Sequence, residues 1–270
     1  MKSPLSNLSK TRPTAAVFCM FIVLLAVTAR AATPISTCTT ITAAGNYIVT
    51  APISCGTDAI LITVSHVTLS LNGFNVTGNP SAIHAVSVSN VVILGPGSVT
   101  NDGSSGILFE GVQSSEVVGV NANHNPIGIY LIADGAGTIP TNNTLGANKA
   151  NQNTTGIQAD ASQSNKFLGN ECSNQGTGLF IASGQGDLIQ GNKCNSNTTG
   201  IEFTGTSETV VANEADANVN VGIFVLNAGG NHLRDNEATS NGVDLMDGNP
   251  CMTNIWSLDA FFTSNSSCIH

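Results

Sequence analysis

The chain has 270 residues, 41% of them hydrophobic and only 9% charged, against roughly 25% charged in an ordinary globular protein. Its 31 Asn and 28 Gly are poor helix formers, which excludes a helical bundle or coiled coil, and the ample apolar content excludes a disordered chain. Beyond residue 30 four bases face 17 acids, a formal charge of −13, which excludes nucleic acid and anionic lipid surfaces as partners.

Residues 1–14 carry three positive charges, an apolar run follows from Ala15 to Ala29, and Ala29-Arg30-Ala31 has the small-x-small pattern of a cleavage site. This predicts a signal peptide over 1–31, a secreted or periplasmic protein, and no stable membrane insertion after cleavage. Fifteen apolar residues are short for a span of about 20. The mature chain then divides into an N-terminal cap over 32–59, a coil over 60–246 and a C-terminal cap over 247–270.

Cys19 leaves with the export segment, and six cysteines remain, an even number suited to an oxidising compartment. Their spacing suggests three local pairs: Cys38 with Cys55, Cys172 with Cys194, and Cys251 with Cys268. The outer two pairs would staple the caps, each contributing about 3 kcal/mol through the unfolded state. Cys172 and Cys194 are either bonded or stacked as free thiols.

The tetrapeptides beginning at Gly106, Gly128, Gly156, Gly178, Gly200, Gly222 and Gly242 share a Gly-Ile-x-Φ pattern, with Leu or Val replacing Ile in two of them, and are spaced 22, 28, 22, 22, 22 and 20 residues apart. A second strand-like run lies between successive copies: Val117-Val118, Lys166-Phe167-Leu168, Leu188-Ile189-Gln190, Val210-Val211 and His232-Leu233-Arg234. A short period without a helical pattern signals a solenoid. The expected fold is all-β, a right-handed parallel β-helix of about eight turns and roughly 38 Å, with strands about 4.8 Å apart. Ile107, Ile129, Ile157, Leu179, Ile201, Ile223 and Val243 would form an inward ladder.

Residues before each Gly-Ile strand support this register. Ala122, Ala150, Cys172, Cys194, Ala215 and Ala238 make a small inward column, and Asn125, Asn153, Gln175, Asn197, Asn218 and Asn241 follow three residues later as a stack of amides. Between the small column and the Asn preceding it runs a charged column, Lys149, Glu171, Lys193, Glu214 and Glu237, whose exposed pairs are worth about 0–1 kcal/mol each.

Over about residues 40–246 these repeats resemble the right-handed parallel β-helix, pectate-lyase-like superfamily. The start (Cys38, Gly45-Asn46-Tyr47-Ile48-Val49, Cys55, Val67 through Gly78) and the end (Asp247-Gly248-Asn249-Pro250-Cys251, Asn254, Trp256, Phe261, Cys268-Ile269) resemble exported bacterial members. For enzymes of this fold the resemblance implies an acidic cluster, often holding Ca²⁺, beside an Arg or Lys base, or two or three nearby Asp. The chain departs from both patterns. Its one Arg beyond residue 30 is Arg234, followed by Asp235, and the closest Asp pair, Asp244-x-x-Asp247, sits in the final turn where a cap is an equal reading. His66, His84, His124, His232 and His270 are scattered, so no metal site and no cofactor are expected, while Ca²⁺ through Asp and Asn oxygens stays open.

Within the Gly-Ile-x-Φ strands the third residue points outward if the second and fourth point inward. That outward column reads Leu108, Tyr130, Gln158, Phe180, Glu202, Phe224, Asp244, with aromatics on every second turn. Tyr130, Gln158, Phe180, Glu202, Phe224 and Asp244 are therefore candidate contacts for a polysaccharide or cell-surface glycan, with rings stacking on sugar faces. The charge of −13 favours a neutral or cationic glycan unless Ca²⁺ bridges. A module that binds without catalysis is expected; a lyase, hydrolase or epimerase, and a structural adhesin or spacer, are the alternatives.

Overall fold

Short runs of Val, Ile, Leu and Thr, each ended by Gly, Asn or Ser, form strands that bend at left-handed corner residues before the chain lays its next strand. The computed structural model describes residues 31–100 and 103–270, so the expected export segment lies outside the described residues except for Ala31. No helix occurs among the described residues. The chain winds into a parallel β-solenoid of about ten turns. Its front sheet has ten strands: Thr39–Ile41, Ile60–Ile62, Ser81–Val86, Ser105–Glu110, Ile127–Ile132, Thr155–Asp160, Thr177–Ala182, Thr199–Phe203, Val221–Val225 and Val243–Asp247. The back sheet has eleven, from Thr33–Ile35 to Ile255–Ser257, and a third edge begins as three short strands and continues as single bridges. The expected eight turns become ten because the first three front strands lack the Gly-Ile tetrapeptide. The strands Thr33–Ile35 and Thr39–Ile41 within 32–59, and Ile255–Ser257 within 247–270, already pair in the two sheets.

In the front sheet Ile83, Ile107, Ile129, Ile157, Leu179, Ile201, Ile223 and Leu245 lie in one register, and all are fully buried. Leu245, not Val243, completes the inward ladder. The true step from Gly222 is 22 residues, to Asp244. Glycine is needed at Gly178 because a Cβ there would lie 2.5 Å from the Gly200 carbonyl of the following turn, and at Gly200 because it would lie 2.5 Å from that of Gly222. Beyond Val243–Asp247 the front sheet continues, among the described residues, as a single parallel bridge from Leu245 to Ser264. At Asp244 an acid stands in the glycine position, its carboxylate accepting from Asn241, Phe262 and Thr263, and the glycine signal lapses there.

Three ladders of buried side chains run up the corners. In one, Asn148 Nδ2 donates to Asn170 Oδ1 at 3.0 Å, Asn170 to Asn192 at 2.9 Å, Asn192 to Asn213 at 3.0 Å and Asn213 to Asn236 at 2.9 Å. The second holds Asn143, Asn165, Asp187, Glu208, Asn231 and Asn254. The third is the expected column from Asn125 to Asn241, linked by backbone N–H donors to the amide oxygen of the next turn. Amide after amide passes its donors onward, so each ladder needs an acceptor-only group at its end. Asp259 accepts from Asn236, Asp247 from Asn254, and Asp244 from Asn241.

Disulfides join Cys38 to Cys55 and Cys251 to Cys268, with Cα separations of 6.1 and 5.6 Å, one near each end of the coil. Cys172 and Cys194 are not bonded, which corrects the expected third pair. In-register parallel neighbours have parallel Cα–Cβ bonds, which hold the Cβ atoms near the strand spacing of about 4.8 Å, beyond the mean of about 3.8 Å in disulfides. The two thiols stay stacked in the core. A hydrogen bond with Cys194, then burial, pushes the Cys172 thiol well up, so it is held protonated.

Candidate functional site

The parallel register of the front sheet brings residues more than a hundred positions apart into one outward line. His84, Leu108, Tyr130, Gln158, Phe180, Glu202, Phe224 and Met246 are direct neighbours in successive strands, all partly exposed, while the residues on either side of each are buried. The expected column is thus present from Leu108 to Phe224. Asp244 leaves it: it is 1% exposed, occupies the glycine position, and Met246 takes the outward place. Burial acts to raise the Asp244 carboxyl, but hydrogen bonds accepted from Asn241, Phe262 and Thr263 outweigh it and hold the group low. Asp244 and Asp247 therefore act as cap pins, the latter also accepting Trp256 Nε1 at 3.0 Å.

Two residues further along the strands a second outward line adds Glu110, Ile132 and Asp160. Tyr130 donates its hydroxyl to Asp160 Oδ2 at 2.5 Å, and Gln158 Nε2 donates to both Asp160 oxygens at 3.2 Å. Burial, then the bond to Asp160 and its charge, pushes the Tyr130 phenol up, so it stays a neutral donor. Glu202 lies between Phe180 and Phe224 in register and makes no side-chain hydrogen bond among the described residues. Burial alone pushes its carboxyl up.

At the N-terminal end of the same face lies a cluster that the sequence reading missed. His84 Nδ1 sits 2.9 Å from Asp58 Oδ2, and His84 Nε2 sits 3.1 Å from Glu110 Oε2. Asp58 also accepts the Ser81 backbone N–H at 3.0 Å. The three residues run diagonally across consecutive turns, each 26 positions from the next. That recurrence was the available signal, hidden because these turns depart from the 22-residue period. Two residues beyond the strand Ile127–Ile132, in the long 28-residue repeat, Asp134 accepts from Ser87 Oγ at 2.7 Å and from the backbone N–H groups of Ala136 and Thr138, which folds the inserted loop back onto the earlier turns.

The family described as "Periplasmic copper-binding protein (NosD)" matches residues 37–214 and, in a second alignment, 141–266. The chain belongs to the NosD family. It is a periplasmic family, and the two disulfides fit an exported protein. A search of curated protein sequences returns no match. Among solved structures, a Dettilon tailspike protein (gp208) superposes with a TM-score of 0.64 at 12% identity, over 84% of this chain and 54% of the tailspike chain. The chain thus spans about half the length of that neighbour. The A-module of the Azotobacter vinelandii mannuronan C-5 epimerase AlgE4 gives 0.55 at 10% identity, over 83% and 89% of the two chains. Pectate lyase Pel9A gives 0.52 at 14% identity, over 83% and 68%. These likenesses establish the shared solenoid fold.

Copper, which the NosD description names, finds no matching donor set here. Among the described residues no group of three His, Cys, Asp or Glu is arranged to hold a metal ion. The thiols of Cys172 and Cys194 are fully buried, and both nitrogens of His84 already contact carboxylates. No helix among the described residues is long and apolar enough to cross a membrane.

Proposed function

We propose that this NosD-family chain binds an extended polysaccharide along the outward face of the front sheet, parallel to the coil axis and without cleaving it. The observation that carries the reading is the in-register line Tyr130, Gln158, Phe180, Glu202, Phe224, in which rings and polar side chains alternate strand by strand and all remain partly exposed. Rings on alternate strands recur about every 9.6 Å, close to the repeat of an extended disaccharide, and an aromatic face matches the apolar face of a sugar. Solved neighbours of the same fold are named for action on polysaccharides, mannuronan and pectate among them, which supports a glycan as the ligand class.

Replacing Tyr130, Phe180 and Phe224 together by Ala should leave the coil folded, since all three side chains lie outside the core, and should abolish retention in gels cast with the ligand polysaccharide. Unchanged retention would reduce the stripe to a stabilising same-face ladder. His84 held between Asp58 and Glu110 favours one second reading, a lyase, hydrolase or epimerase acting at that end of the face. Release of unsaturated or reducing ends from a polysaccharide panel, lost in His84→Ala, would establish it in place of binding alone.

A further inference from the structure

We propose that the glycan taken by this face carries free amino groups, and that the slot formed by Phe180, Glu202 and Phe224 seats one of its ammonium groups. The inference rests on the binding reading above and names its substrate class. Carboxylates and rings alternate along the face: Glu110, Asp160 and Glu202 stand on the strands Ser105–Glu110, Thr155–Asp160 and Thr199–Phe203, and Tyr130, Phe180 and Phe224 on the strands between and after them. The rings repeat in one line every second strand, about 9.6 Å apart; Glu202 stands in that line, and Glu110 and Asp160 stand on alternate strands in the line two residues further along. Glu110 is engaged by His84 and Asp160 by Tyr130 and Gln158, so a chain of sugars whose ring faces meet the aromatics would bring an amine to Glu202.

The bases lie elsewhere. Lys149 and Lys193 stand on the third edge, where they pair with Glu171 at 3.6 Å and Glu214 at 2.8 Å, and Lys166 and Arg234 stand on the back sheet. The cationic candidate on the front face, His84, turns both nitrogens to Asp58 and Glu110. A uronate carboxylate laid on this face would meet acids and no free cation. Glu202, by contrast, is an acid with no hydrogen-bond partner among the described residues, flanked in register by two aromatic rings. An ammonium placed there donates a charge-assisted hydrogen bond to the carboxylate and is attracted to the ring faces, and burial of Glu202 strengthens both by excluding water.

Calorimetric titration of the full mature chain with three hexamers tests this at mildly acidic pH and low salt: glucosamine, whose amines are free, N-acetylglucosamine, whose amines are blocked, and galacturonate. The glucosamine hexamer should bind about tenfold or more tighter than its acetylated counterpart, the step expected of one added charge-assisted contact, and galacturonate should not bind. Glu202→Gln, isosteric and outside the core, should keep the circular dichroism and melting of the parent and remove the preference for the free amine. Equal affinity for the two glucosamine forms, or a preference that survives Glu202→Gln, would overturn the amine assignment. Galacturonate binding that is lost in the Tyr130, Phe180 and Phe224 triple variant would sink the substrate class and leave the binding face standing. Binding of no hexamer would overturn both.

Discussion

Glu208 occupies a ladder position designed for an amide. In the turns on either side of the acidic pair, Asn165 Nδ2 donates to the Pro140 carbonyl and Asn231 Nδ2 to the Gly205 carbonyl, both at 3.1 Å, and the carbonyl in the equivalent place for Glu208 is that of Gly184. Glu208 Oε2 accepts the Asp187 N–H at 2.6 Å, but the buried Oε1 has no partner. A protonated Oε1 supplies the missing donor. Burial, then the charge of Asp187, pushes the Glu208 carboxyl up to about 8, and burial pushes Asp187 up as well, against the bond it accepts from Ser162. With the folded value above the unfolded one, the native state holds more protons between pH about 4.5 and 8, and stability falls as pH rises across that window. Denaturant midpoints should therefore decline from pH 5 to pH 9. Glu208→Gln should flatten most of that decline and add about 1–3 kcal/mol at pH 9, the cost of one unsatisfied buried group. An unchanged pH profile in the variant would show that Glu208 is not the titrating group.

At the scale of the strand and its corner, the amide ladders hold the turns together far more than the charges beside them. Asn192 and Lys193 are adjacent and make the contrast testable. Asn192 donates to the Phe167 carbonyl at 2.8 Å and to Asn213, and accepts both the N–H and the amide of Asn170 at 2.9 Å. Asn192→Ala leaves these buried groups unpaired and should cost at least about 2 kcal/mol, whereas Lys193→Ala removes an exposed pair worth about 0–1 kcal/mol. Equal midpoint shifts in urea would contradict the ladder account. The sequence displays such elements wherever one turn dictates the residue of the next. Glycines spaced by 22, the column from Asn125 to Asn241 and the small column around Cys172 are all set by contacts between consecutive turns, so the period, the parallel register and the inward face are readable in one dimension. The frame slips at Asp244 because an acid that pins the cap stands in the glycine position, while Gly242-Val243 two residues earlier keeps the look of the repeat. The first turns are harder to read because Ala82 takes the place of glycine beside Ile83, so the Gly-Ile pattern is missing there. The second ladder escapes because Asp187 and Glu208 interrupt its run of Asn.

The coil formed by the described residues is a stack of turns closed by a disulfide near each end and by three aspartates that terminate the amide ladders at the C-terminal end. Such a coil has few ways to present chemistry other than along the flat faces of its sheets, and here the front sheet is the face on which rings, amide and acids line up. Most of that line is legible from strand alternation alone. The Asp58, His84 and Glu110 cluster is not, since its members stand 26 residues apart on turns of 23 and 24 residues, so they meet diagonally and share no column. The central claim is that a glycan lies along this line, and the measurement that bears on it most directly is a crystal structure of the protein grown with the glucosamine hexamer. The account predicts sugar density running along the coil axis over the front sheet, with pyranose faces on Phe180 and Phe224 and an amine within hydrogen-bond distance of Glu202. Ordered sugar on the back sheet or at the coil ends, with the front face bare, would contradict it.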